Sequence, residues 1–222
     1  MMKLDFSTVN WEEVSTATTD TFLMMLFSVL FTFIIGLPLG VLLYLTGKSS
    51  GAAAKTVYAM LSFIVNILRS VPFVILMIAI IPLTRVIMGT SIGVEGTIPP
   101  LVIAAAPFFA RLVETSLREV DRGVIEAAQA MGASTWQIVR KVLLPEAMPG
   151  LIAGTTITAV TLVTYTAMSG LIGGGGLGDL AIRYGYHRYE FEVMIVSIVV
   201  MVLLVQVLQW IGDALVRKYT RK

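Results

Sequence analysis

The sequence predicts an all-α polytopic membrane protein with five transmembrane helices, and three observations carry that prediction. Of its 222 residues, 57% are hydrophobic and only 14% charged, with a mean hydropathy of +0.88, which is not the composition of a soluble domain. Apolar runs that meet or approach the roughly 20 residues needed to cross a bilayer recur at residues 21–45, 57–81, 98–118, 151–172 and 193–211. Between the third and fourth of these, residues 119–150 form a polar stretch punctuated by glycine and proline, so one connection is built for something other than lipid.

The first span carries Gly36-Leu37-Pro38-Leu39-Gly40, a small-xxx-small face with a proline inside it, suited to close helix packing. The residues before it include Asp5, Glu12, Glu13 and Asp20 and lack a basic start followed at once by an apolar stretch. The first span is therefore expected to act as its own uncleaved targeting signal. Gly47-Lys48-Ser49 imitates the end of a phosphate-binding loop, but the glycine required five residues earlier is Leu42. Those residues read instead as the end of the span, and any nucleotide would bind another subunit. The second span contains Arg69 just before Ser70-Val71-Pro72, with no partner evident. The third holds Arg111, Glu114 and prolines 99, 100 and 107. A central arginine costs roughly 2.5 to 3.5 kcal/mol on translocon-insertion scales. Arg111 and Glu114, three residues apart on one helical face, are expected to neutralise each other.

In the fourth span Met168 stands between Thr166 and Ser169, and its flexible thioether makes it the candidate gate of a narrow path. Gly173, Gly175 and Gly178 match a dinucleotide fingerprint by letter, but they follow an apolar span rather than a strand, so the match is accidental. They predict a tight turn on the outer face. His187, the only histidine, cannot by itself form a multi-histidine metal site; no metal site and no catalytic residue are expected. Ser169 with His187 defines no protease motif, and Glu190 and Glu192 read as a solvated outer loop. The chain has no cysteine, which removes disulfides and thiolate sites. One membrane domain, residues 1–222, is expected.

The polar connection has a definite local reading. Asp121 can cap a helix whose apolar positions Val124, Ile125, Ala128 and Met131 recur at helical spacing, and Gly132 suits the left-handed residue that ends it. Ser134 with Gln137 fits a capping box. It starts a second helix through Trp136, Ile138, Val139 and Val142 that Pro145 should stop. Two short helices therefore meet at a glycine elbow. The orientation follows from the basic residues of the connections. Nine (Lys48, Lys55, Arg122, Arg140, Lys141, Arg217, Lys218, Arg221, Lys222) fall on one side against four (Lys3, Arg85, Arg183, Arg188) on the other. The first side is expected to be cytoplasmic, with the amino terminus outside, the carboxyl terminus inside and the elbow in the cytoplasm. The net charge of +2, placed at membrane edges, carries no nucleic-acid signal.

Glu126-Ala127-Ala128, with Gly132 four residues on and Val142-Leu143-Leu144-Pro145 closing the segment, resembles the cytoplasmic EAA loop of ABC importer permeases; Val142 stands where the family has isoleucine. Beyond the loop the chain resembles the methionine importer permeases nearly from end to end. The likeness rests on Asn66-Ile-Leu-Arg-Ser-Val-Pro-Phe73, Thr84-Arg-Val-Ile-Met-Gly-Thr-Ser-Ile-Gly93 and Ala106-Pro-Phe108. It extends to Gln137-Ile-Val-Arg-Lys-Val-Leu-Leu-Pro-Glu146, Tyr165-Thr-Ala-Met-Ser-Gly170 and Tyr184-Gly-Tyr186. The resemblance implies the type I ABC importer permease fold in a bacterial inner membrane. It implies two copies of the chain, two ABC ATPase subunits below and an extracytoplasmic binding protein that delivers an amino acid. Gly174-Gly-Gly-Leu-Gly178 resembles the corresponding loop of amino-acid importers. No cofactor is expected on this chain; ATP and Mg belong to the ATPase. The implied coupling-loop residues are Glu126, Ala127, Ala128, Gly132, Ala133, Ser134, Thr135, Trp136, Leu144 and Pro145. Methionine, another amino acid or a small polar solute are open as substrate. An ion-coupled secondary transporter using Arg69, Arg111 and Glu114 is the rival from another class.

Overall fold

The computed structural model describes residues 6–220, and among these every regular element is helical. Lys3, Asp5, Arg221 and Lys222, used above for charge and targeting, lie outside the described residues. Among the described residues five helices are long and apolar enough to cross a membrane, in the order expected, but their limits differ from the hydropathy limits. The first, α1 (Trp11–Lys48), starts ten residues before the apolar run. The Asn10 side chain accepts from the Glu12 and Glu13 N–H groups at 3.1 and 3.4 Å, and two glutamates occupy the first turn, so the helix nucleates in polar sequence.

The second span is a correction. Helix α2 (Ala52–Ser70) begins five residues earlier than expected and ends eleven earlier. Pro72 lacks an N–H and disfavours helical geometry at Val71, so the apolar run to Ile81 is broken. It continues as α3 (Phe73–Ala79) and α4 (Ile81–Met88), the latter closed by left-handed Gly89 at φ 75°. Arg69 is thus an exposed cation in the last turn of α2 and not a mid-span charge. Helix α5 (Gly93–Arg118) is the most buried of the five candidate spans and tolerates its three prolines.

The connection folds as α6 (Arg122–Ala130), α7 (Thr135–Ile138), a π-helical turn over Val139–Leu143, and α8 (Leu144–Glu146). Pro145 does not stop the chain's helical course. The π turn before it shifts the hydrogen-bond register, and the missing N–H falls in the first turn of the next segment. Helix α9 (Met148–Ser169) and a 3₁₀ turn (Gly170–Ile172) form the fourth span. Short α10 (Gly176–Leu180), a π-helical turn (Ala181–Tyr186) and α11 (Phe191–Thr220) complete the chain.

The chain divides into two compact units, one of residues 6–31, 71–104 and 159–209, the other of 32–70, 105–158 and 210–220. In the first unit, Val9, Val14 and Ala17 of the amino-terminal part pack with Leu177, Leu180, Val193 and Val196. Phe73 stacks on Tyr165, ring centroids 4.3 Å apart and nearly parallel at 2°. In the second unit, Tyr44, Phe109, Val113 and Leu117 share one core with Ile125, Ala128, Ile138, Val139, Leu143, Ala147 and Leu151. Without a hydrophobic driving force between helices in lipid, close approach through small residues matters most. A Cβ on Gly36 would lie 2.8 Å from Phe109, and one on Gly40 2.6 Å from the Ala110 carbonyl oxygen. The small-xxx-small face is therefore the seam between α1 and α5, as its spacing predicts.

Candidate functional site: the bent hairpin and the end of the fourth span

Local sequence builds the hairpin from its caps inward. The Asp121 carboxylate accepts from the Gly123 and Val124 N–H groups at 2.7 and 3.3 Å, which starts α6. Gly132 adopts φ 78°, the left-handed elbow the sequence calls for. The capping box is complete: the Gln137 N–H donates to Ser134 Oγ at 3.4 Å, and the Ser134 N–H donates to Gln137 Oε1 at 2.8 Å. Each short helix then turns one side inward. Ile125 and Ala128 from α6, and Ile138, Val139 and Leu143 after the elbow, are buried against Phe109, Val113 and Leu117 of α5. Burying such side chains contributes about 1.5 to 3 kcal/mol each. That anchorage is what keeps a nine-residue helix and a four-residue helix folded at all.

The other side faces outward and is not simply polar. Val124 and Met131, which share the apolar spacing of α6 with Ile125 and Ala128, are 42% and 82% exposed, and Trp136 is 68% exposed. The inward stripe is narrower than the apolar spacing suggested, because two short helices joined at an elbow can each offer only one or two positions to the same patch of α5. Three large apolar side chains therefore stand among Glu126, Ala127, Gln129 and Thr135, all exposed. Trp and Met are among the residues enriched at protein–protein interfaces. An open cavity of about 450 Å³ is lined among others by Tyr44, Lys48, Arg122, Glu126 and Gln129. The Lys48 ammonium lies 4.9 Å from the Tyr44 ring centre. Tyr44 and Lys48 were not singled out in sequence for this surface, since nothing local places the end of α1 beside α6.

Pro145 is exposed. Leu144 is half-buried, and both residues line a separate cavity with Arg140, Glu146, Tyr219 and Thr220 near the end of α11. Ala133 is half-buried at the elbow, and Ala128 is buried.

Arg111 and Glu114 pair as expected at 2.6 Å, but Glu114 also binds Arg118 at 2.6 Å. Tyr58 donates to Glu114 at 3.2 Å, and Arg111 donates to Asn66 Oδ1 at 3.2 Å. Sequence spacing reveals the helical pair and the i, i+4 arginine; it has no means of revealing Tyr58 and Asn66. Met168 is 39% exposed in the last turn of α9, on one stripe with exposed Ile157, Thr164 and Leu171. The glycine segment after it is a tight turn with left-handed Gly173, Gly175 and Gly176. It is largely internal, however: the Leu177 N–H donates to Thr21 Oγ1 at 2.8 Å and the Gly93 N–H donates to the Gly173 carbonyl at 2.9 Å. Ser169 is fully buried with its hydroxyl donated to the Thr166 carbonyl, whereas His187 is exposed. The structure does not bring the two together. Glu190 and Glu192 are half-buried, Glu192 in the first turn of α11. Among the described residues no group of three or more His, Cys, Asp or Glu is placed to hold a metal ion.

Among the described residues, five helices long and apolar enough to cross a membrane, with a capped, bent hairpin after the third, define the class as a polytopic membrane protein. The profile of the binding-protein-dependent transport system inner membrane component family matches residues 36–221, and the chain belongs to that family. It is 52% identical over 210 residues to the probable D-methionine transport system permease protein MetI of Vibrio cholerae, covering 95% of this chain and 93% of the relative. It is 49% identical over 172 residues, 78% of each chain, to the methionine import system permease protein MetP of Bacillus subtilis. Its backbone matches a chain of the MetNI methionine ABC transporter, solved in inward-facing conformations, with a TM-score of 0.90 and 50% identity. That match covers 94% of this chain and 97% of the other. The chain is thus a permease component of an ABC importer and carries the fold of that class, with its five apolar helices in the membrane.

Proposed function

We propose that this chain forms the translocation path of an ATP-driven importer for methionine, as two copies around a shared axis. Two separate ABC ATPases sit on its cytoplasmic side, and an extracytoplasmic binding protein feeds it. The observation that carries this reading is the outward trio Val124, Met131 and Trp136 at a left-handed elbow whose inner side is locked onto α5. A surface of this kind transmits force: it offers apolar anchors to a partner and passes displacement to a spanning helix. The substrate class is supported by the names of relatives at 49% and 52% identity.

In this mechanism the two ATPases close on nucleotide and release on hydrolysis, and ATP and Mg reside on them. Closure carries α6 and α7 along, tilting the helices around the axis to an outward-open arrangement; release resets it. The two states are driven apart only by the ATPase's differing affinity for them. The basic residues of the connections favour a cytoplasmic hairpin, an external amino terminus and an internal carboxyl terminus. The whole chain acts as one permease domain, and Met168, on the exposed stripe of α9, closes the path between substrates. The test is purification of the tagged chain from its membrane together with labelled-methionine uptake in cells with and without it. An ATPase that co-purifies and uptake that needs this chain and is competed by unlabelled methionine are expected. Uptake that survives loss of ATP but collapses with the proton gradient would select an ion-coupled carrier instead.

A further inference from the structure

Helix α5 has two working sides. Phe109, Val113 and Leu117 grip the hairpin core, while Arg111, Glu114 and Arg118 lie about 130° away around the helix, given 3.6 residues per turn. On that second side the Glu114 side chain is only 4% exposed and both its oxygens are engaged, Oε2 by Arg111 and Oε1 by Arg118, each at 2.6 Å. Neutralising one carboxylate would take one arginine, and both of these come from α5 itself. Helix α2 supplies the rest. The Tyr58 hydroxyl donates to Glu114 Oε1 and accepts from Arg118 Nη2, both at 3.2 Å. Eight residues on, roughly 12 Å along a helix, the Arg111 Nη2 group donates to Asn66 Oδ1 at 3.2 Å, and it reaches the Ser62 carbonyl at 3.4 Å.

Elsewhere α2 is thinly held. Val65 is its one buried residue, in a small cluster with Leu43 and Ala110. Apolar surfaces of helices in lipid slide past one another at little cost, whereas hydrogen bonds to a desolvated ion network are directional and fix register. From this two-point attachment we infer that Tyr58 and Asn66 are positioning residues for energy coupling. They lock α2 onto α5, so that α2 and the hairpin move as one body when the hairpin is driven. The inference rests on the reading of the hairpin as the ATPase's contact surface.

The chain has no native cysteine, so paired labels report alone. In complexes that hold one doubly labelled and one unlabelled copy, spin labels at Met60→Cys on exposed α2 and Glu119→Cys at the root of the hairpin should give one narrow distance distribution, identical in the nucleotide-free and nucleotide-trapped states. With Tyr58→Phe plus Asn66→Leu, which leaves both ion pairs within α5 intact, the distribution should broaden and differ between the two states. Substrate moved per ATP hydrolysed should fall about five-fold or more, the lower end of ordinary coupling energies. Restoring Tyr58 and replacing Asn66→Asp, which returns an acceptor to Arg111, should recover both readouts; a general loss of folding would not be rescued in this way. An ATPase-bound double variant with unchanged distances and unchanged stoichiometry overturns the role of α2's two side chains. Failure of the parent chain to hold any ATPase overturns the hairpin reading and this inference with it.

Discussion

Two of the bends that the chain makes with left-handed glycines, at the hairpin elbow and after the fourth span, serve opposite ends. At the hairpin elbow, Gly132 has φ 78° and nothing within 4 Å of where a Cβ would stand. In the turn after the fourth span, glycines are wanted for room: a Cβ on Gly174 would stand 2.7 Å from Thr97 Oγ1, and one on Gly178 would strike the Ala167 backbone. The elbow is a conformational requirement on an open surface. The turn adds to its left-handed glycines a steric requirement inside a packed unit. A bend that needs only a backbone angle can present side chains to a partner and can be tuned, whereas a bend with no space around it holds the structure rigid.

That contrast makes its largest prediction at the packed turn. Gly178→Ala should cost about 3 kcal/mol or more, since overpacking against backbone has no side chain to yield. Its readout is loss of monodisperse protein in detergent, and normal yield would remove the steric account. Gly132→Val comes next. The left-handed region costs about 1 to 2 kcal/mol for a residue with a Cβ and more for a branched one, all of it local. The chain should insert normally but lose ATPase association or uptake, while Gly132→Asn should stay near the parent. Unaltered uptake by the valine variant at normal expression would show that the elbow is not needed.

Ser134→Ala removes one half of the capping box and should cost about 1 kcal/mol. It should be visible as faster amide exchange at Gln137 with unchanged exchange in α9; equal exchange at both sites would dissolve the distinction between the two regions. Met168→Ala is the smallest in stability, within about 0.5 kcal/mol for an exposed position. It should nevertheless raise leak or ATP hydrolysis in the absence of substrate, and an unchanged basal rate would remove the gate.

The hairpin was legible in sequence because its determinants are local: Asp121, Gly132, Ser134 and Gln137 act on backbone groups two or three residues away. The number and order of spans followed from hydropathy for the same reason. What failed were places where one local rule overrode another. Pro72 ends α2 inside an apolar run, and the π turn at Val139–Leu143 lets the chain pass Pro145 while remaining helical. Asn10 begins α1 well before its apolar stretch. Contacts between distant residues had no signal at all. Arg118 is four residues from Glu114 and was within reach of spacing arguments, whereas Tyr58 and Asn66 meet the network from 56 and 45 residues away. Helical spacing gives the apolar stripe Val124, Ile125, Ala128 and Met131 but does not say how much of it a neighbour covers, and only Ile125 and Ala128 are buried.

The central claim is that the bent hairpin is a lever pressed by a separate motor on the cytoplasmic side. A single Gln129→Cys in this cysteine-free chain, challenged with a membrane-impermeant thiol reagent, tests it most directly. The account predicts no labelling in intact cells, labelling in inside-out vesicles stripped of peripheral protein, and protection when the ATPase is added back. Labelling from the outside of intact cells would contradict it.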